Sequence, residues 1–216
     1  MDLLTIELLV REAKDFAQEE STWGEPSLYG VTDGKAVGTY LEHKFQSRLS
    51  NKYTYVAGSS AKGIDLPKLQ VDLKVTSKKQ PQSSCPFKSA RQKIYGLGYN
   101  LLVFVYEKMD DHEAKKAQLN MMHVIFVDAE KTADYQLTRA VMETLQRNGN
   151  KDDLLALFED KNLPVDEIEG NRLAEEILNS PPDQGYLTIS NALQWRLQYN
   201  RVISVAGQVE GVKRVR

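Results

Sequence analysis

Cysteine is nearly absent from this chain of 216 residues: Cys85 is the only one. A lone cysteine forms no internal disulfide, which fits a reducing cytoplasm. Histidine is scarce as well. His43, His112 and His123 stand far apart, and with one cysteine they count against a structural zinc site. No apolar run approaches the roughly 18 residues of a membrane span. Met1 to Phe16 lacks the basic start and small-residue cleavage site of a signal peptide, and acids interrupt its apolar pattern instead. The expectation is a cytoplasmic protein with no membrane association. No phosphate-binding glycine loop or Ser/His/Asp arrangement is visible, which weighs against a small-molecule enzyme. Gly96-Leu-Gly98 is short enough to be a helix end.

What is present starts with an ordinary globular composition, 41% hydrophobic and 27% charged, enough for one well-cored domain with room for a small appendage. The net charge of −2 names no partner. Its distribution is more informative. From Lys62 to Lys93, eight lysines and arginines stand against two aspartates, Asp65 and Asp72, a local charge of +6. Such a stripe suits a polyanion; a solvated lysine-rich face would read alike.

Periodicity places the elements. Helices are predicted over Leu3–Ala17, Lys35–Leu49, Phe87–Gly96 and Tyr135–Gln146, where apolar residues recur at helical spacing. Strands are predicted over Lys52–Ala57, Gln70–Thr76, Leu101–Tyr106 and Met122–Val127, the third hydrophobic enough to be central and buried on both faces. Gly58–Gly63 reads as a turn, Lys78–Pro86 as a polar loop and Lys108–Gln118 as a charged connection. This mixture gives an α/β or α+β core over residues 1–150. Beyond Asn150, Asp152–Phe158, Val165–Leu178 and Ile189–Gln198 read as short helices, so residues 151–216 are expected to form a helical C-terminal part. Gln194, Arg196, Gln198, Tyr199, Asn200 and Arg201 there suit DNA contacts or plain exposure, and the tail Lys213–Arg216 suits backbone contact or disorder.

The chemistry concentrates in Gly63-Ile-Asp-Leu-Pro-Lys-Leu-Gln-Val-Asp-Leu-Lys-Val-Thr. Asp72 and Lys74 are two apart on a strand, so their side chains leave one face while Val71, Leu73 and Val75 leave the other for the core. Asp65, at the start of the unit, can fold back towards them. A hard divalent cation takes one or two carboxylates plus water and phosphate oxygens. Asp65 and Asp72 supply those, with the Leu73 carbonyl as a third ligand. Lys74 can position or deprotonate water and stabilise charge on the phosphoryl group. A bare Asp-x-Lys is also what a salt-bridged surface strand looks like. The second aspartate, the alternating strand and the basic loop after it favour phosphodiester hydrolysis.

Asp65 followed by Asp72-Leu-Lys74 resembles the PD-(D/E)xK nuclease signature, and most closely the MutH-like group with its type II restriction-enzyme relatives. Those proteins place a helical glutamate ahead of the motif in a Gly-x-x-x-Glu setting, matched here by Gly38-Thr-Tyr-Leu-Glu42. Ile64 stands where the namesake proline would, and Asp72 where glutamate is frequent. The likeness covers roughly Gly38 to Tyr106. It implies an α-β-β-β-α-β core with a mixed sheet flanked by helices, a Mg²⁺ cofactor that Mn²⁺ can replace, and cleavage of double-stranded DNA. It makes Glu42 an auxiliary acid at the metal; read without the family, Glu42 is a surface glutamate. Gln92, with Tyr95 and Tyr99 after it, resembles the glutamine-tyrosine helix of RecB-like nucleases at looser spacing.

Lys78, Lys79, Lys88, Arg91, Gln92 and Lys93 are the candidate DNA contacts, phosphate binders that would set affinity and register. A motif of this kind in a stand-alone chain points to a type II restriction endonuclease, a homodimer matched to two-fold symmetric sites. Residues 151–216 would then serve recognition or dimerisation. A mismatch-repair-like nickase and a non-catalytic DNA-binding module are the alternatives.

Overall fold

A computed structural model describes residues 2–58, 63–85, 88–190 and 195–216. The chain divides into two compact units, one of Met1–Ser83, Asn100–Val127 and Val205–Arg216, the other of Ser84–Tyr99 and Asp128–Ser204.

The first unit begins with β1 (Asp2–Leu3) and α1 (Ile6–Glu20), whose N-terminus is capped by the Thr5 hydroxyl accepting from the Leu8 amide. Then come β2 (Gly24–Glu25), α2 (Gly34–Lys52, capped by Asp33), β3 (Tyr53–Thr54, parallel to β1) and β4 (Val71–Ser77). β5 (Gln82–Cys85) and α3 (Arg91–Tyr95) precede the long strands β6 (Asn100–Asp111) and β7 (Lys116–Val127). β4 runs parallel to β6, which is antiparallel to β7. This mixed sheet has β4 at one edge. α1 and α2 cover one face. Phe16, Phe45 and Phe104 meet there at centroid separations of 5.1, 5.2 and 5.9 Å, tilted or edge-on, a geometry worth about 0.5–1.5 kcal/mol per pair beyond burial. Leu101 to Tyr106 are buried throughout, as a central strand requires.

The hairpin corrects the expectation of a charged connection over Lys108–Gln118. The strands continue through it because Ala117 and Leu119 still enter the core while the charges face out, an alternation of period two. The burial phase of β7 then jumps: Ala117, Leu119 and Met121 face the core, and so do Val124 and Phe126. An odd-to-even change needs one extra residue. The register shows it, with Val105 opposite His123 but Tyr106 opposite Met121, so Met122 is the inserted position of a β-bulge.

The second unit packs α3, α4 (Tyr135–Gln146), α5 (Lys151–Asp160) and α6 (Glu167–Asn179) around Ile94, Val141, Leu154, Phe158 and Ile177. A capping box of Asn150 and Asp153 starts α5. The expected helix over Ile189–Gln198 is instead β8 (Thr188–Ile189) and β9 (Trp195–Gln198), an antiparallel pair. Trp195 and Leu197 are buried and Arg196 exposed, the period of a strand; residues 191–194 of that expectation lie outside the described residues. Two more expectations change. The helix expected over Phe87–Gly96 is confined to α3, with Phe87 outside the described residues, and the polar loop after β4 contains β5. The chain closes with α7 (Asn200–Val205) and β10 (Val212–Arg214), which pairs with β7, so the tail is strand rather than disorder and the C-terminal part is not wholly helical.

Candidate active site

β4 is an edge strand, and what occupies its open edge builds the site. In parallel pairing alternate residues bond to the neighbour. Gln70 and Lys78 bond to β6, so Val71, Leu73 and Val75 turn their backbone groups outward. The chain before β4 folds back along that edge. The Leu66 amide donates to the Val71 carbonyl at 2.9 Å, and the Val71 amide to the Leu66 carbonyl at 3.2 Å. At the next rung a side chain replaces backbone: the Leu73 amide donates to Asp65 Oδ2 at 2.9 Å. The Leu73 carbonyl leaves by the same edge, because on an extended strand a residue's N–H and C=O point to one side.

Two further contacts fix Asp65. The Gly58 amide donates to its backbone carbonyl at 2.7 Å, and Gln46 Nε2 lies 3.4 Å from Oδ1. Gly58 has no room for a side chain, since a Cβ there would stand 1.9 Å from the Ile64 oxygen. Residues 59–62 of the expected turn, with Lys62 of the basic stripe, lie outside the described residues.

Asp72 and Lys74 share the face predicted for them, with Asp72 Oδ2 2.6 Å from Lys74 Nζ. Val71 and Leu73 enter the core and Val75 packs against it. A cleft of about 380 Å³ brings Glu42, Asp65, Asp72 and Lys74 together, with His43 and Gln46 on its α2 side. Sequence reasoning passed over Gln46 and His43; the helical spacing of Gln46, one turn after Glu42, was the signal available.

The electrostatics are lopsided. Asp72 is only 4% exposed. Burial pushes its carboxyl up to about 7; Lys74 pulls it down, but the neighbouring Asp65 carboxyl opposes the release of its proton. Burial likewise raises Glu42, helped by Asp65 and countered by Lys74. Burial works against the Lys74 charge, yet Asp72, Asp65 and Glu42 outweigh it and hold its pKa above the usual lysine value. Among the described residues, three carboxyl groups thus face a single ammonium.

That donor set fits a hard cation. Among the described residues no group of three His, Cys, Asp or Glu side chains forms a complete metal cage. Mg²⁺ asks for less, because it keeps several waters and takes one or two carboxylates. Asp65, Asp72 and the outward Leu73 carbonyl meet that demand.

The basic candidates are scattered. Lys78 and Lys79 are exposed just after β4, Lys78 lying 3.6 Å from Glu107. Lys88 is exposed. Arg91 pairs with Glu176 at 2.6 Å and lies 4.4 Å from the centre of the Tyr95 ring. Gln92 donates to the Leu97 carbonyl at 3.0 Å. Lys93 is 4% exposed, and burial lowers its pKa, so its ammonium is not on a surface that a phosphate reaches. Arg201 stacks on Tyr135 at 3.6 Å, Tyr199 is buried, and Gln194 lies outside the described residues. No described helix is long and apolar enough to cross a membrane.

Comparison with known proteins bears on the chain as a whole. No solved structure matches the chain. The type II restriction enzyme NspV of Nostoc sp. (strain ATCC 29411 / PCC 7524) is 62% identical over 212 residues, 98% of this chain and 96% of its own. The family model described as type II restriction enzyme NspV matches residues 3–214. A likeness that runs almost from end to end leads to one assignment: the chain belongs to the NspV family of type II restriction enzymes.

Proposed function

We propose that this type II restriction enzyme, a site-specific DNA endonuclease, cuts double-stranded DNA in the cleft between α2 and β4, with a PD-(D/E)xK-type centre of Asp65, Asp72 and Lys74 and with Glu42 at its rim. The observation that carries the reading is the excess of carboxyl groups, one buried and two half-buried, over ammonium in that cleft. The element order α2-β3-β4-β5-α3-β6 agrees with the α-β-β-β-α-β order that the MutH-like resemblance implies, in chain order though not in pairing, since β3, β4 and β5 belong to three separate sheets.

Asp65, Asp72 and the Leu73 carbonyl would hold Mg²⁺, or Mn²⁺ in its place. When bound, the cation polarises the phosphate and acidifies a water. The remaining roles belong to the chain. Leu73 N–H and Gln46 hold Asp65 in place from the strand and from the helix. Lys74, anchored on Asp72, orients the attacking water and stabilises the charge that grows on the phosphoryl oxygens. Glu42 accepts a hydrogen bond from water at the rim.

A two-fold symmetric dimer cuts both strands of a symmetric site most simply. Lys78, Lys79 and Lys88 remain the exposed phosphate contacts. From Lys151 to Asn179 nine acids stand against three basic residues, a balance that turns a phosphate backbone away. We assign α5 and α6 to dimerisation rather than to DNA.

Plasmid incubated with Mg²⁺ gives discrete fragments, and chelation stops the reaction. Mg²⁺ alone raises the melting temperature of the wild type but not of Asp72→Asn. A melting temperature indifferent to Mg²⁺ in both proteins would remove the metal from this site.

A further inference from the structure

Along β4, Asp72, Lys74 and Thr76 leave one face of the sheet, and Lys78, whose amide donates to the Tyr106 carbonyl at 2.8 Å, continues the alternation. The register carries that face inward: Thr76 stands beside Val105, Val105 beside His123, and Arg214 on β10 beside Ile125, two residues from His123. The bulge at Met122 falls here. A bulge re-aims the side chain next to it, and Met122 and His123 are both half-exposed. Burial, then Arg214, then Lys78 disfavour the charged form of His123, so both cations lie within electrostatic reach of its ring. Lys78 and Arg214 are exposed. The loop after Lys78 is tied to the catalytic strand, because the Gln82 amide donates to Thr76 Oγ1 at 2.9 Å and that hydroxyl lies 3.2 Å from the Gln80 carbonyl. Glu107, 3.6 Å from Lys78, offsets part of that cation's charge; a polyanion relieves the repulsion that the remaining positive charge exerts on this face.

We propose that Lys78, His123 and Arg214 form a phosphate-binding band for the DNA duplex, on the sheet face that carries Asp72 and Lys74 and starting about 13 Å along the strand from Lys74. The band rests on the nuclease reading. It adds two residues from distant parts of the chain to Lys78, and it ties their grip on the backbone to the strand that carries the catalytic pair.

The test is equilibrium binding of a short labelled duplex without metal, followed from about 50 to about 300 mM salt. Lys78→Gln and Arg214→Gln each flatten the slope of log affinity against log salt by about 0.9, and together by about 1.8. Arg214→Lys keeps the wild-type slope, because charge and not the Arg214 bond to the Ala206 carbonyl is what the band supplies. His123→Ala at pH 8, where the ring is neutral, weakens binding about threefold with the slope unchanged. Unaltered slopes in both glutamine variants overturn the proposal, as does Arg214→Lys falling together with Arg214→Gln. A wild-type protein that binds no duplex, or leaves plasmid uncut with Mg²⁺, defeats the nuclease reading instead.

Discussion

Two buried carboxylates in the same unit have opposite fates. Glu12 on α1 is 3% exposed and Asp72 on β4 is 4% exposed. Around Glu12, Arg48 and Lys52 each donate at 2.8 Å and the Tyr53 hydroxyl at 2.9 Å. Burial alone would raise its pKa, but those three donors outweigh it and hold the carboxyl at about 2. Asp72 has one ammonium and a neighbouring carboxyl, and it is pushed up to about 7. Both are shut off from solvent to the same degree, but Asp72 lies deeper among protein atoms and has fewer donors. A saturated carboxylate ties helices together; an undersupplied one in an open cleft calls for a cation from solution.

The contrast can be broken by substitution. The largest effect expected is on cleavage: Lys74→Ala and Asp72→Asn each lose about a thousandfold or more in plasmid cutting rate. Asp72→Asn nevertheless melts at or above the wild-type temperature, since a buried, poorly compensated charge is gone. A fall in its melting temperature as deep as that of Glu12→Gln would erase the distinction. Gly58→Ala comes next. Its methyl group displaces the strap that holds Asp65, and a shift of about 1 Å costs about a hundredfold in rate.

Glu12→Gln should leave cutting intact well below its melting point and destabilise the fold by about 2–3 kcal/mol in urea titrations. That is the lower side for a broken buried pair, because Lys52 keeps contact with solvent. Acid separates the pair again. The Glu12 value is depressed, so its stabilisation is present above the ordinary 4.5 and is lost as pH falls towards about 2. The Asp72 value is raised, so the wild type loses stability against Asp72→Asn as pH rises from the ordinary 3.8 towards about 7 in the absence of metal. Melting curves of the three proteins across that range should diverge in opposite directions. The smallest effect is that of Gln46→Ala. Its bond to Asp65 is long, and a rate loss of about threefold is expected.

Asp72, Lys74 and the buried side of β4 were legible from alternation alone, because a strand's two faces follow from its period. Phe16 and Phe45 lie on the apolar stripes of two helices, which marked both for a core but not for each other. Other features were hidden for definite reasons. The hairpin beyond Tyr106 looked like a connection because charge was read as loop, although one face stayed apolar. β9 looked helical because four residues are too few to separate the two periods.

The sequence by itself determined which residues are candidates for the chemistry: a carboxylate and an ammonium on one strand face, a second aspartate seven residues upstream, and a basic stretch around them. Tertiary structure alone decided which basic groups remain on the surface. Lys93 is buried and Arg91, though exposed, is paired with Glu176, while His123 and Arg214, distant in the chain, reach the sheet face of Lys78 through strand register. It also decided that Asp72 lacks the donors that Glu12 has. Burial and donor count are sums over neighbours in space, and no local pattern along a chain contains them.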